Sequence, residues 1–376
     1  MTGVPSGHQK SMDETDLQLH PAEASELCEL DAPDLLARRR WDRALLTVMD
    51  EAPVESALAV LGHERGAEPG SGWRAEKLRL DLRSGQNRTE DAEACARHAG
   101  WIYVFGSQFG SEDGPLEAKR SWVARMRDDE LSRALAEGAT LPAELVRLRF
   151  GIHRAVNDVF AGAKVDLMAL GAASREAYID QTIRRGARKK KRWSGSVRSS
   201  DRPINVEGVE FRANGNLLLG LRYPVTAEGA PVLVEMEGVE RLFEDPQSLP
   251  RCTAVWWLEG VGDPEQPVGI RALFGDGVDS FHAIVGNLES TGKRSAILAD
   301  HPEGARAAST HVRFSLPAAA SGGAVMADVV HRFDDLRRVE GVAVAADGQA
   351  HYVIDREGDV ALRTLVLDRP DPAVTA

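Results

Sequence analysis

The sequence predicts an all-β fold, a six- or seven-bladed β-propeller with a helical insertion. One motif carries most of that expectation. It runs glutamate, small residue, alternating strand, glycine turn, second strand, and it occurs three times. The copies begin at Glu93-Ala94, Glu207-Gly208 and Glu340-Gly341. From Glu93 to Gly106, from Glu207 to Gly220 and from Glu340 to Val353 the interval is thirteen residues each time. Asn214-Gly215 and Asp347-Gly348 between apolar runs are hairpin signals, because a tight turn needs positive φ. Repeats tens of residues apart signal a propeller, solenoid or array. The second observation is a series of short strands at even intervals; the third is the lack of a linker, which disfavours a pair of β-sandwiches. At roughly 45 residues per four-stranded blade, about 330 strand-rich residues make six or seven blades.

Taken in order, residues 1–36 are polar and acidic and read as a flexible lead. A single propeller domain is expected over 37–368. Its first strands are Arg43–Met49, Ser56–Leu61 and Lys77–Leu82, the last alternating as a half-buried strand should. Residues 128–182 break the pattern. Leu145, Leu148, Phe150, Ile152, Val156, Val159 and Phe160 recur near helical spacing, and two or three inserted helices are expected there. A basic loop follows at 184–193, with the run Arg184–Arg192. From Val206 strands resume, including Pro231–Met236, Thr253–Leu258, Val268–Phe274, His282–Val285, Ser295–Leu298, His311–Ser315 and Ala361–Val366. Residues 369–376 read as a loose tail.

Composition narrows the class. The chain has 376 residues, 43% of them apolar, which fits a soluble globular protein. A net charge of −12 argues against a general nucleic-acid binder, apart from the local run at 184–192. No apolar run is long enough for a membrane span, and Met1–Leu30 lacks a signal-peptide core. Cys28, Cys95 and Cys252 are few and scattered, which fits a reducing cytoplasm rather than a disulfide framework. Arginine-over-lysine, Ala/Gly-rich usage points to a bacterium.

Ile204-Asn205-Val206-Glu207-Gly208-Val209, Leu219-Gly220-Leu221-Arg222-Tyr223-Pro224, Val339-Glu340-Gly341-Val342 and Tyr352-Val353-Ile354-Asp355 resemble a bacterial family of unknown function related to the esterase-like phytase propellers. Glu93-Ala94 departs from that family's Glu-Gly. The resemblance implies a propeller, allows a bound cation, and implies no settled reaction.

The chemistry follows from phase. Glutamates at the start of equivalent inner strands would converge on the central channel. Two carboxylates about 5 Å apart repel by roughly 3 kcal/mol at an effective dielectric of ~20. Glu93, Glu207 and Glu340 therefore need a cation, protons or basic partners; hard oxygen ligands favour Ca²⁺ or Mg²⁺. The alternative is structural, each acid accepting backbone N–H bonds between blades. Second strands end in polar residues, Asp50-Glu51, Ser107-Gln108, Arg222, Asn287 and Asp355, which would ring the channel mouth as ligand-binding groups. Arg222 suits a carboxylate or phosphate, with a salt bridge to a neighbouring blade as the bland alternative. Arg222, His282 and Asp355 are the catalytic candidates; His301 and His311 lie near His282, and His153 and Asn157 share a helical face. No nucleophile elbow, phosphate loop, HExxH or dinucleotide or flavin fingerprint occurs. The leading expectation is a cation-containing propeller acting on an anionic small molecule, by metal-assisted ester or phosphoester hydrolysis. The alternative is a ligand- or protein-binding scaffold without turnover.

Overall fold

The computed structural model describes residues 13–19, 23–50, 52–82, 89–245, 247–289, 295–318, 321–334, 336–356 and 359–367. Their strands form five sheets, each an antiparallel up-and-down blade. Blade 1 comprises Ser25–Glu29, Trp41–Val48, Leu58–Glu64 and Trp73–Leu78. Blade 2 comprises Ala92–His98, Trp101–Gly106, Trp122–Arg127 and Leu141–Arg147. Blade 3 comprises Asn205–Phe211, Leu217–Tyr223, Val232–Glu237 and Arg251–Glu259. Blade 4 comprises Gly269–Gly275, Ser280–Gly286, Thr310–Ser315 and Asp328–Arg332. Blade 5 comprises Val339–Val344, Gln349–Arg356 and Asp359–Val366, completed by the N-terminal strand Asp13–Leu17. Each innermost strand packs on the next in cyclic order, blade 5 returning to blade 1, so the ring is closed.

The propeller stands, but it has five blades rather than six or seven. Blades 2 and 3 each take a fifth strand, Leu80–Leu82 and Gly323–Met326, running parallel to their outer edges. Residues 148–204 add no strand to any blade. The lead expected to be flexible over 1–36 contains two strands and enters the helix Pro33–Arg39. The insert expected over 128–182 is interrupted by blade 2's Leu141–Arg147, so Leu145 belongs to a strand. Helices do occur at Asp128–Glu137, Gly151–Gly162 and Gln181–Arg188. Ser295–Leu298, expected as a strand, starts a short helix: the Ser295 hydroxyl caps it by accepting from Leu298 N. The tail 369–376 lies outside the described residues.

The three repeated hairpins are each the innermost strand pair of a blade, and those of blades 3 and 5 share one register. Gly215 N donates to Arg212 O and Gly348 N to Ala345 O, closing the same turn in blades 3 and 5. Gly215 and Gly348 hold φ of 83° and 89° there. In blade 2 the turn is Ala99-Gly100, both at positive φ. The small residue after each acid also has a cause. A Cβ on Gly208 would come within 3.0 Å of Ala272 and Leu273 of blade 4, and one on Gly341 within 3.0 Å of Glu26 of blade 1.

Apolar strand faces pack between blades, with Trp122, Trp256, Tyr352 and Phe105 among the largest enclosed side chains. Burying each such group stabilises by about 1.5–3 kcal/mol. Phe109, Phe150, Tyr178, Tyr223 and Ile297 form a separate core that seats the helical insert against loops beside the channel. Trp193 packs edge-on against Phe150, anchoring the basic segment. Arg184 pairs with Glu176 and Arg185 with Glu117, while Arg188–Arg192 are exposed. Among the described residues, no helix is long and apolar enough to cross a membrane.

Candidate functional site

All five inner strands carry a register shift near their start. The residues at the shift are Glu26, Glu93, Glu207, Arg271 and Glu340 in blades 1 to 5. A bulge leaves one residue out of the ladder and re-aims its side chain. Here it directs Glu93, Glu207, Arg271 and Glu340 into one cavity of about 910 Å³ at the channel mouth. Glu26, at φ 57°, differs: its carboxylate accepts from Leu273 N of blade 4 at 3.2 Å, and it is fully buried and outside the cavity lining.

Some of the residues expected at the rim lie together. Asp50, Arg222, Asn287 and Asp355 line the cavity with the three glutamates. Ser107 and Gln108 are not in the lining. The Ser107 hydroxyl donates to Asp91, which is, and Gln108 Nε2 donates to Gly106 O at 2.8 Å. Glu51 lies outside the described residues. His282 is not brought to the cavity. Its ring bonds His311 at 2.7 Å, and His311 bonds the Tyr352 hydroxyl at 2.8 Å, filling the seam between blades 4 and 5. His153 and Asn157 fix the following chain: Asn157 Oδ1 accepts from Arg202 N at 2.8 Å, and His153 faces Asp201 at 3.3 Å. His301 bonds Ala169 O at 2.8 Å.

The three glutamates have different partners. Glu340 receives both arms of Arg271, with Nε to Oε2 at 2.6 Å. Glu207 Oε1 accepts from Arg222 Nη1 at 3.1 Å and from Asn205 Nδ2 at 2.7 Å. Arg222 thus pairs with an acid of its own blade. Glu93 accepts only a 3.4 Å bond from the Ser25 hydroxyl, with no cation at ion-pair distance among the described residues. Burial, then the charges of Glu207, Asp91 and Asp50, hold the Glu93 carboxyl well above its ordinary range; Arg222 opposes only part of that. Burial also raises Asp91, against Arg120 at 2.9 Å, and raises Asp355, against Arg338 at 3.1 Å. Burial, followed by the charge of Arg222, pulls Arg271 down to about 9.

The residues present do not fit a hard cation held by Glu93, Glu207 and Glu340. Two of those acids are already neutralised by arginines. Among the described residues, no three His, Cys, Asp or Glu side chains form a group able to hold a metal ion.

Sequence reasoning missed Arg271, Glu26, Asp91 and Arg120. The signal for Arg271 was present: Ile284 follows it by thirteen residues, the spacing of the glutamate repeats, with arginine in place of the acid. Glu26 was hidden because the helix Pro33–Arg39 lengthens the excursion before its partner strand.

No family model matches the chain, and no curated protein does. Among solved structures, a GH43_1 enzyme from Xanthomonas citri is similar at 10% identity and TM-score 0.43, over 96% of this chain and 92% of that one. A mannose phosphorylase from Leishmania mexicana gives 8% and 0.40, over 93% and 86%. A glucose dehydrogenase gives 14% and 0.31, over 93% and 83%. The likeness is in the course of the chain, and no chemistry is carried over from it.

Proposed function

We propose that the cavity is a hydrolytic site acting on a small polar molecule by general acid–base catalysis, with Glu93 as the acid and Glu207 as the base. One observation carries this reading. Two neighbouring carboxyls share a cavity wall, one without a cationic partner and raised, the other bonded to a guanidinium and an amide. Titratable pairs whose environments diverge in this way are the usual mark of an acid/base assignment. In the reaction, Glu207 takes a proton from water as its oxygen attacks, and the protonated Glu93 gives its proton to the departing oxygen. Each such group contributes about 10²–10⁴-fold in rate.

The lining holds nine acids and five arginines. That excess disfavours a free anionic substrate. The expected Ca²⁺ or Mg²⁺ is tested together with the chemistry. Chromogenic carboxyl esters, glycosides and phosphoesters are assayed with and without chelator, alongside elemental analysis. The expected result is chelator-insensitive turnover of one class, lost in Glu93→Gln with Km little changed, and lost in Glu207→Gln. Turnover that survives both substitutions overturns the assignment. No turnover across the panel, with a ligand still bound in the cavity, would favour the binding scaffold instead.

A further inference from the structure

Asn205 and Arg222 each leave one polar atom without a partner, Oδ1 of the amide and Nε of the guanidinium. Both side chains line the cavity, and they are only 2% and 6% exposed. One further atom of each meets at a single point, Glu207 Oε1, through Asn205 Nδ2 at 2.7 Å and Arg222 Nη1 at 3.1 Å. That contact fixes the amide's orientation. Turned over, it would set Oδ1 against a carboxylate oxygen. One acceptor and one donor therefore remain on two side chains locked to a common oxygen. Enclosed polar groups left in this state are rare and call for a partner.

We infer that Asn205 and Arg222 form a hydroxyl-recognition subsite, so that the molecule taken by the cavity is a neutral, hydroxyl-bearing one such as a polyol or sugar. The ligand hydroxyl donates to Asn205 Oδ1 and accepts from Arg222 Nε. A carboxylate satisfies only the second of these, and hydrogen phosphate meets both only by setting its negative charge beside Glu207. An ammonium group satisfies only the first. The wall likewise disfavours an anion, since acids outnumber arginines around the cavity. The inference rests on the reading of this cavity as the ligand site, and not on the chemical step.

The test separates the two. Full-length Glu93→Gln protein, with the acid removed, is titrated calorimetrically with D-xylose, sorbitol, sodium acetate, sodium phosphate and acetamide. Xylose or sorbitol is expected to bind, and acetate and phosphate are not. Adding Arg222→Lys keeps a charge for Glu207 but lacks Nε, and should weaken polyol binding about tenfold, the loss of one good hydrogen bond. Adding Asn205→Leu should do the same, with thermal unfolding used to confirm a folded protein. Binding of acetate, phosphate or acetamide in place of the polyols overturns the inference, as does polyol binding unchanged in the Arg222→Lys protein. Polyol binding without turnover of any ester or glycoside by the parent protein leaves the subsite standing and sinks the hydrolytic reading. Turnover without polyol binding does the reverse.

Discussion

Replacing Glu210 with glutamine should change the way stability depends on pH. Glu210 sits three residues beyond the bulge of blade 3. Its carboxylate accepts from Phe211 N at 2.7 Å and from Gly275 N of blade 4 at 3.0 Å, joining two inner strands. Burial lifts the carboxyl from the ordinary 4.5 to about 7, against those two bonds. A folded pKa above the unfolded one means that the native state keeps a proton the unfolded chain has lost. The associated stability is fully present below about pH 4.5 and is lost as pH rises through about 7. At 1.36 kcal/mol per unit, the gap is worth about 3 kcal/mol. Glu210 is half-buried, so solvent screening reduces that toward about 1–3 kcal/mol. Glutamine cannot ionise, and it can accept only one of the two backbone bonds fully. Its cost should be about 1 kcal/mol near pH 5 and should shrink or reverse by pH 8. Glu26, whose own carboxyl is raised by burial, feels the Glu210 charge, and removing that charge eases it as well. Urea unfolding of both proteins at several pH values between 5 and 8 reads the difference. Parallel stability–pH curves for parent and variant would refute the reasoning.

Three further outcomes follow from the same structure. Arg271→Met should destabilise by about 3–5 kcal/mol because it strands Glu340, and Arg271→Met with Glu340→Gln should recover much of that; equal losses in urea unfolding would show that the pair is not coupled. Gly269→Ala should cost about 1–3 kcal/mol, since its Cβ would fall 2.1 Å from the Arg222 carbonyl oxygen; an unchanged unfolding midpoint would mean that the blades separate freely there. Cys28 and Cys95 are buried, and the hydrogen bond shared with Cys28, followed by burial, holds the Cys95 thiol well above its ordinary range. Both should resist an aromatic disulfide reagent until urea unfolds the chain, and rapid labelling of either in the native protein would contradict their burial.

The hairpins were legible because their determinants are local: an Asn-Gly or Asp-Gly turn and a period-two apolar pattern within a short span. Glu93, Glu207 and Glu340 were legible through the same phase. Their partners were not. Arg271 meets Glu340 across 69 residues, and nothing in either segment announces the other. The expectation of a cation arose there: the sequence showed the repelling acids but hid the arginine that a neighbouring blade brings to Glu340. The blade count failed for a related reason. Strand density was converted to blades at a fixed length, while residues 148–204 were spent on helices and loops that pack over blades instead of forming them. Asp13–Leu17 is short, acidic and charged, with no apolar period of its own. Its strand character comes from pairing with Asp359–Val366.

That last pairing has a temporal consequence. Leu17 lies opposite Val360, and Thr15 also donates to Gly70 O at 2.7 Å, so two strands far apart in sequence are sewn into one sheet. During synthesis the first strand emerges with its partner still more than three hundred residues away. Until that partner arrives, blades 1 to 4 form an open arc with a bare edge, the kind of edge that recruits foreign strands. The closing contact spans the longest loop in the molecule and carries the largest entropic delay. Blade 5 is therefore the clasp of the ring, the last part to form and the first to open. Hydrogen exchange should find its amides, and not those of blades 2 and 3, setting the time for which the whole propeller stays shut.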